Sequence, residues 1–323
     1  MEKNIFIVNI PRNPNDKQVY MQSFCEAWLA CGGKAVEQSK WMRFRLVRHL
    51  LKGLALCRFS CRDPKRVYII CSRGGHLMKS AIPYLFRGDI IPMLWDCWPA
   101  KWDKLERDLR VMKCRLCFVT ASDVVKEMSK RLPNVTFVHI PEGVDLNDYQ
   151  KGKPLKERSI DVYEMGQKHN YFHKKLMDGR LEEHCNFVYN PAAPENGPLL
   201  VYNDWMTFTS KMADSKILIS FPLSMRNPRA NGNVDTLTMR FWEGMLSRCI
   251  IVGHCPQELI DLIGYNPVIE ADFVNPQAQI LHIVKHIDDY QEQVNHNFEV
   301  AKKYAAWERR MDIVKKAIEE SYS

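Results

Sequence analysis

RVYIICSRGGHLMKSAIPYLFRGDIIPMLW, residues 66–95, is the stretch that decides the fold. RVYIICS is a continuous apolar run, which is how a strand covered on both faces reads. Gly74 and Gly75 stop it, and a helix is expected from about His76 to Phe86. DIIPMLW then reads as a second strand, although Pro92 cannot donate to a ladder and argues against a central position. Strand, helix and strand in this order predict a parallel βαβ unit.

The same alternation continues outward. NIFIVNI, a helix over 16–31, and a strand in CRLCFVT followed by a helix in ASDVVKEMSKRL fit one doubly wound sheet, with TFVHI as its last strand. Ser122 is the expected helix cap. PEGVDLNDYQKGKPLKER, residues 141–158, is polar with two prolines and two glycines, and reads as a linker. The alternation restarts with SIDVYEMG, NFVYN, KILISF, CIIVG and VIEA as strands, and from Pro276 onward the chain reads as helices. The expected architecture is α/β, with two Rossmann-like domains facing across a cleft. Open parallel sheets bind ligands at the carboxyl ends of their strands.

Composition sets limits. The chain has 323 residues, a length that suits two domains. It has 11 cysteines, and MEKNIFIVNI reads as a strand rather than a leader, so free thiols in a reducing cytoplasm are expected. Cys114 and Cys117 are spaced as in a zinc knuckle but fall on opposite faces of a strand. No apolar run is long enough to span a membrane. Residues 1–150 carry 25 Lys+Arg against 15 Asp+Glu, a net of +10, whereas 151–323 carry 21 against 23, a net of −2. The basic half suits a phosphate-bearing substrate, nucleic acid or an anionic membrane. Within it, 41–66 places Arg45, Arg48 and Lys52 on one helical face opposite leucines. That reads either as a core helix with a solvated face or as an interfacial helix holding the protein peripherally on an anionic membrane.

NVDTLTMRFWEGMLSRCIIVG, residues 233–253, carries two acids, Asp235 and Glu243, eight residues apart. Capping explains Asp235, and a surface pair with Arg240 explains Glu243. Together they say more. If both lie on one helix they are about 12 Å apart along it and roughly 80° apart around it. Both could then edge one groove, with helix amides between them to seat phosphates.

Here the sequence resembles the retaining GT-B glycosyltransferases of the family 4 type, which carry an acid-x7-acid motif before a small-residue turn and a strand. Asp235 stands where glutamate is usual. The Arg240/Glu243 pair also resembles the spore-maturation-type branch. PEGVD (141–145) resembles the segment entering the donor domain, DVYEMGQKHNYFHKKL its strand–glycine–basic loop, and the run around Trp307 the closing helix that crosses back. The resemblance covers about 141–323 and implies domains at 1–150 (acceptor side) and 151–305 (nucleotide-sugar donor), with a crossing helix at 306–323. It implies that Asp235, Thr236 and Leu237 hold the donor sugar and Glu243 the ribose, with Arg240 orienting Glu243 or reaching a phosphate. After Gly166 the usual arginine is Gln167, which leaves Lys168 for the diphosphate.

The first half matches less well. PRNPND lacks the family's glycines, and Arg12 is the substitute expected there. His76 and Asp96, at strand ends, are the candidates for contact with the acceptor or the reacting sugar. A satisfied core histidine and a loop-capping aspartate are the ordinary explanations. Arg226 and Arg229 are expected near the leaving group, and no essential metal or other cofactor is expected. The function expected is transfer of a sugar from a nucleotide-sugar to a glycan or lipid-linked acceptor. The alternatives are a nucleotide-sugar epimerase and a basic nucleic-acid binder, although no nucleic-acid motif is present.

Overall fold

A computed structural model describes residues 3–12, 19–38, 50, 53–54, 63–166, 168–190, 202, 204–226, 228 and 232–322. The 41–66 segment lies outside the described residues except for 50, 53–54 and 63–66, and Arg229 and Gln167 also lie outside them.

Two parallel sheets form. The first has six strands in the order β2-β1-β3-β4-β5-β6. These are β1 (Asn4–Val8), β2 (Lys34–Val36), β3 (Arg66–Arg73), β4 (Asp89–Trp95), β5 (Leu116–Val119) and β6 (Thr136–His139). The second has five, in the order β11-β10-β9-β7-β8. These are β7 (Ile160–Glu164), β8 (Phe187–Tyr189), β9 (Ser215–Ser220), β10 (Ile250–Gly253) and β11 (Val268–Glu270). All the strand pairings are parallel. Among the described residues, helices connect most successive strands within each sheet, and their apolar sides bury against the sheets.

The central βαβ unit forms as read. Its helix runs Leu77–Leu85 and buries Leu77, Met78, Ala81 and Ile82. Pro92 does sit inside central β4, opposite Ile70 of β3. The ladder with β5 registers only Met93 and Leu94, so the missing N–H falls before that pairing begins. Strand β2 was not anticipated. It is three residues behind the Gly32–Gly33 turn, too short to show a period. Ser122 is not a cap but the first residue of the Ser122–Arg131 helix.

The chain crosses back near its end. Val144 bridges Ala306 where the Gln291–Tyr304 helix ends and the Glu308–Tyr322 helix begins. Trp307, Met311, Val314 and Ile318 then pack in one cluster with Ile7, Phe24, Ile69 and Phe118 of the first domain. The nine cysteines among the described residues are all free, Cys114 and Cys117 included. No helix among the described residues is long and apolar enough to cross a membrane.

Candidate active site

The parallel register brings Arg73, the last residue of β3, beside Trp95, the last of β4. The chain turns sharply after them. Asp96 has φ of 52°, a left-handed conformation uncommon for a non-glycine residue, and this projects it from the strand end. Arg73 Nε donates to the Tyr20 hydroxyl at 2.9 Å and lies 3.3 Å from Asp96 Oδ2. Burial raises the Asp96 pKa, and Arg73 partly offsets that.

In the second domain, β7 is followed two residues later by Gly166, where φ is +69°. A Cβ there would lie 2.0 Å from an Arg240 guanidinium nitrogen, so only glycine lets that side chain lie over the turn. Arg226, in the last turn of the Leu223–Arg226 helix, is beside Arg240 electrostatically. Burial and the Arg240 charge lower its pKa to about 9, and burial also lowers that of Arg240. Burial disfavours both charges, and the Arg240 charge further disfavours that of Arg226, a cost that an anion would relieve.

Between the two halves lies a cavity of about 430 Å³. Arg73 and Asp96 of the first domain line it, with Glu142, and so do Gly166, Arg226 and Arg240 of the second. Thr236 and Leu237 also line it. Glu142, from PEGVD, was not singled out by the sequence. Its Oε2 accepts from the Met239 amide at 3.0 Å, capping the Met239–Leu246 helix from outside. Its carbonyl accepts from Trp242 Nε1 at 2.8 Å. Burial, with the Asp96 charge adding to it, pushes the Glu142 carboxyl up to about 8.

The acid-x7-acid segment is arranged differently from expectation. Its helix starts at Met239, four residues after Asp235, so the two acids do not share a helix. Neither lines the cavity. Asp235 receives the Gln257 backbone N–H and lies 3.4 Å from the Ser224 hydroxyl. Capping is thus its role here, but of the Gln257–Ile263 helix. Glu243 is 3% exposed and accepts from the Tyr149 hydroxyl at 3.2 Å. It is a buried neighbour of Arg240 rather than half of a surface pair, and burial raises its carboxyl to about 7.

The Thr236 and Leu237 contacts were also anticipated differently. Glu258 Oε2 accepts from the Leu237 amide at 2.8 Å and from the Thr236 hydroxyl at 3.1 Å. Its Oε1 accepts from the Ser122 amide of the first domain at 2.6 Å. The Thr236 hydroxyl also reaches the Thr120 carbonyl, and Val234 is buried among first-domain side chains such as Leu94 and Cys97. The loop before the helix is therefore docked against the opposite domain.

Three other expected groups sit away from the cavity. Arg12 is held by Glu26 at 2.5 Å, by Asp145 at 3.5 Å and by Asp148. With its charge so engaged, it fastens the first domain to the interdomain segment and offers little to a phosphate. Lys168 lies 3.2 Å from His173 Nε2 and over the Tyr189 ring. His173 Nδ1 is in turn 2.5 Å from Glu164 Oε2, and burial lowers the Lys168 pKa. His76 is exposed rather than a satisfied core histidine, and lines a second cavity within the first domain. Among the described residues no three His, Cys, Asp or Glu side chains form a metal-binding group.

No family model matches the sequence, and no curated protein matches it. Solved structures do match. The sucrose-phosphate synthase of Thermosynechococcus elongatus superposes with a TM-score of 0.57 at 8% identity, over 98% of this chain and 99% of that one. The fold is GT-B. HepE of Anabaena, solved with UDP and glucose, gives the same TM-score of 0.57 and 8% identity, over 98% of this chain and 100% of that one. An S. aureus TarM variant, solved with fondaparinux, alpha-GlcNAc-glycerol and UDP, gives 0.50 at 11% identity over 78% of this chain. The chain is short beside some of its neighbours. It spans 55% of that TarM chain and 59% of the pneumococcal O-GlcNAc transferase GtfA. At such identities the likeness is one of fold, so the chemistry rests on the GT-B cleft itself.

The two buried glutamates make stability depend on pH. Burial raises both Glu142, to about 8, and Glu243, to about 7, above their unfolded value of 4.5. The folded state therefore binds more protons than the unfolded one above pH ~4.5. Their contribution is complete below that pH and is lost as pH rises through about 8. Glu142→Gln, which mimics the protonated acid, is expected to flatten this decline and to raise stability at pH 8 by about 2 kcal/mol. Urea denaturation at several pH values checks it.

Proposed function

We propose that this protein is a glycosyltransferase that moves a sugar from a nucleotide-sugar to an acceptor hydroxyl on a glycan or lipid-linked glycan. The observation that carries the reading is that Arg226 and Arg240 line one interdomain cavity together with Asp96 and Glu142. A departing nucleoside diphosphate is the multiply charged anion that two adjacent guanidiniums favour, and fixed cations stabilise it without reorganising. HepE, of the same fold, was solved with UDP and glucose.

In this reading the diphosphate lies against Arg226 and Arg240, and the sugar turns toward Asp96. Glu142 is a neutral acid at pH 7 and donates a hydrogen bond to a sugar oxygen while accepting from the Met239 amide. The acceptor hydroxyl attacks from the first-domain side, and its proton leaves with the diphosphate oxygen. Retention of configuration, a metal-independent reaction and membership of the family 4 type belong to this proposal. The donor-domain acids act indirectly in it. Glu243 balances Arg240, and Asp235 fixes the loop that carries Thr236 and Leu237.

Thermal shift against nucleoside diphosphates and nucleotide-sugars tests the reading. UDP or another nucleoside diphosphate at ~100 times its Kd is expected to stabilise the protein by about 2.7 kcal/mol. In Glu243→Gln that gain shrinks, because Arg240 loses its counter-charge and its placement. Silence from every nucleotide at millimolar concentration would defeat the proposal. The Asp96/Glu142 pair also suits acid–base chemistry on a donor alone, as in an epimerase. Isomerised donor in the absence of acceptor would show that instead, whereas slow hydrolysis marks a transferase.

A further inference from the structure

The second cavity, of about 480 Å³, lies in the first domain where β1 and β3 end. It opens beside the cleft, since Tyr20 and Arg73 line both. Its charged wall has one sign. Arg73, His76 and Lys79 line it, and no carboxylate does among the described residues. Arg73 is already balanced by Asp96 at 3.3 Å. His76 and Lys79 are exposed, and among the described residues no carboxylate is bonded to either. They stand three positions apart at the start of the Leu77–Leu85 helix, so they share a face. The Ser72 and Ser80 hydroxyls, 3.4 Å apart, complete the polar side, and Val8 and Ile70 form an apolar one.

We propose that this cavity binds the acceptor through an anionic group, and that the acceptor is a saccharide bearing a phosphate or a carboxylate. The inference rests on the glycosyltransferase reading for the word acceptor, and on the cavity alone for the charge. A phosphate or carboxylate accepts a charge-assisted hydrogen bond from Lys79, roughly twice as strong as a neutral one, and has the His76 ring as a second polar partner. The saccharide ring then reaches past Arg73 and Tyr20 to the Asp96 end of the cleft. A neutral acceptor would leave the Lys79 ammonium uncompensated. The net charge of +10 over residues 1–150 draws the same ligand from solution.

Isothermal titration with glucose 6-phosphate, methyl glucuronide and neutral methyl glucoside tests this, using the full chain and the double variant Lys79→Ala/His76→Gln. Both substitutions are at exposed positions, so the fold is retained, and UDP titrated into the same variant checks it. At least one charged sugar is expected to bind the parent protein, with the phosphate and carboxylate probes reporting which group is preferred. Its Kd is expected to rise about tenfold in the double variant, with the UDP affinity unchanged. Equal binding of methyl glucoside, no binding of either charged sugar, or an unchanged Kd in the double variant would each overturn the proposal. Loss of glucose 6-phosphate binding in Arg226→Ala alone would place that ligand in the cleft and overturn it too. Failure of every nucleoside diphosphate to bind while a charged sugar binds would refute the donor reading and leave this cavity standing. The reverse would refute only the cavity.

Discussion

Replacing Arg226 with alanine is expected to slow the proposed glycosyl transfer by about 10²–10³-fold while leaving the protein as stable as before. The two effects separate because the guanidinium is costly to keep. Burial and the adjacent Arg240 both disfavour its charge, so its removal relieves the folded state as well as stripping the cleft of a cation. A side chain present for packing alone would show the opposite, a lower melting temperature with modest change in rate. Arg226→Lys keeps a charge but loses the planar fork that grips two phosphate oxygens, and recovers only part of the rate. Steady-state kcat/KM and calorimetry on the same samples decide it. A variant with full activity would remove the cation pair from the mechanism.

The second large effect is on stability. Trp307→Ala is expected to cost about 3–5 kcal/mol, the usual penalty for emptying a large aromatic site. Trp307 is fully buried, with edge contacts to Phe24 at 5.2 Å and to Trp95 at 6.0 Å between ring centroids. It is the first anchor after the chain crosses back, so its loss frees the Glu308–Tyr322 helix from the first-domain sheet. Trp95 immediately precedes Asp96, and activity should fall beyond the loss of folded protein. Among the described residues the Trp307 indole N–H has no partner. Trp307→Phe therefore leaves no polar group newly stranded and costs well under half as much. Urea denaturation of the two variants measures the contrast, and equal costs would show that the ring volume is not what matters.

The fold was legible because its signals are local. Apolar runs between glycine and proline turns mark nearly every strand, and the closing helices show their apolar face. What escaped was short or conditional. Lys34–Val36 is too brief to carry a period, and Pro92 is tolerated only because its neighbouring ladder starts one residue later. The site was less legible than the fold. Arg226, Arg240, Gly166 and Asp96 reach the cavity as residue type and position suggested. Glu142 and Glu258 were missed because their meaning lies in partners far along the chain. Glu142 caps a helix 97 residues away, and Glu258 meets Ser122 across 136. The acids at 235 and 243 lie on a loop and in a helix respectively. Their spacing suggests a shared helix, yet the first turn forms only where the Glu142 carboxylate receives the Met239 amide.

The docking of Val234 into the opposite domain has a kinetic consequence. The two lobes cannot gape without drawing that side chain into water, at about 1.5–3 kcal/mol for an aliphatic group, and prising Glu258 from the Ser122 amide as well. Wide separation is thus a minority state, on the order of a few per cent or less. In the proposed glycosyltransferase, a ligand that needs that opening to enter or leave does so at a frequency the Val234 and Glu258 contacts help to set.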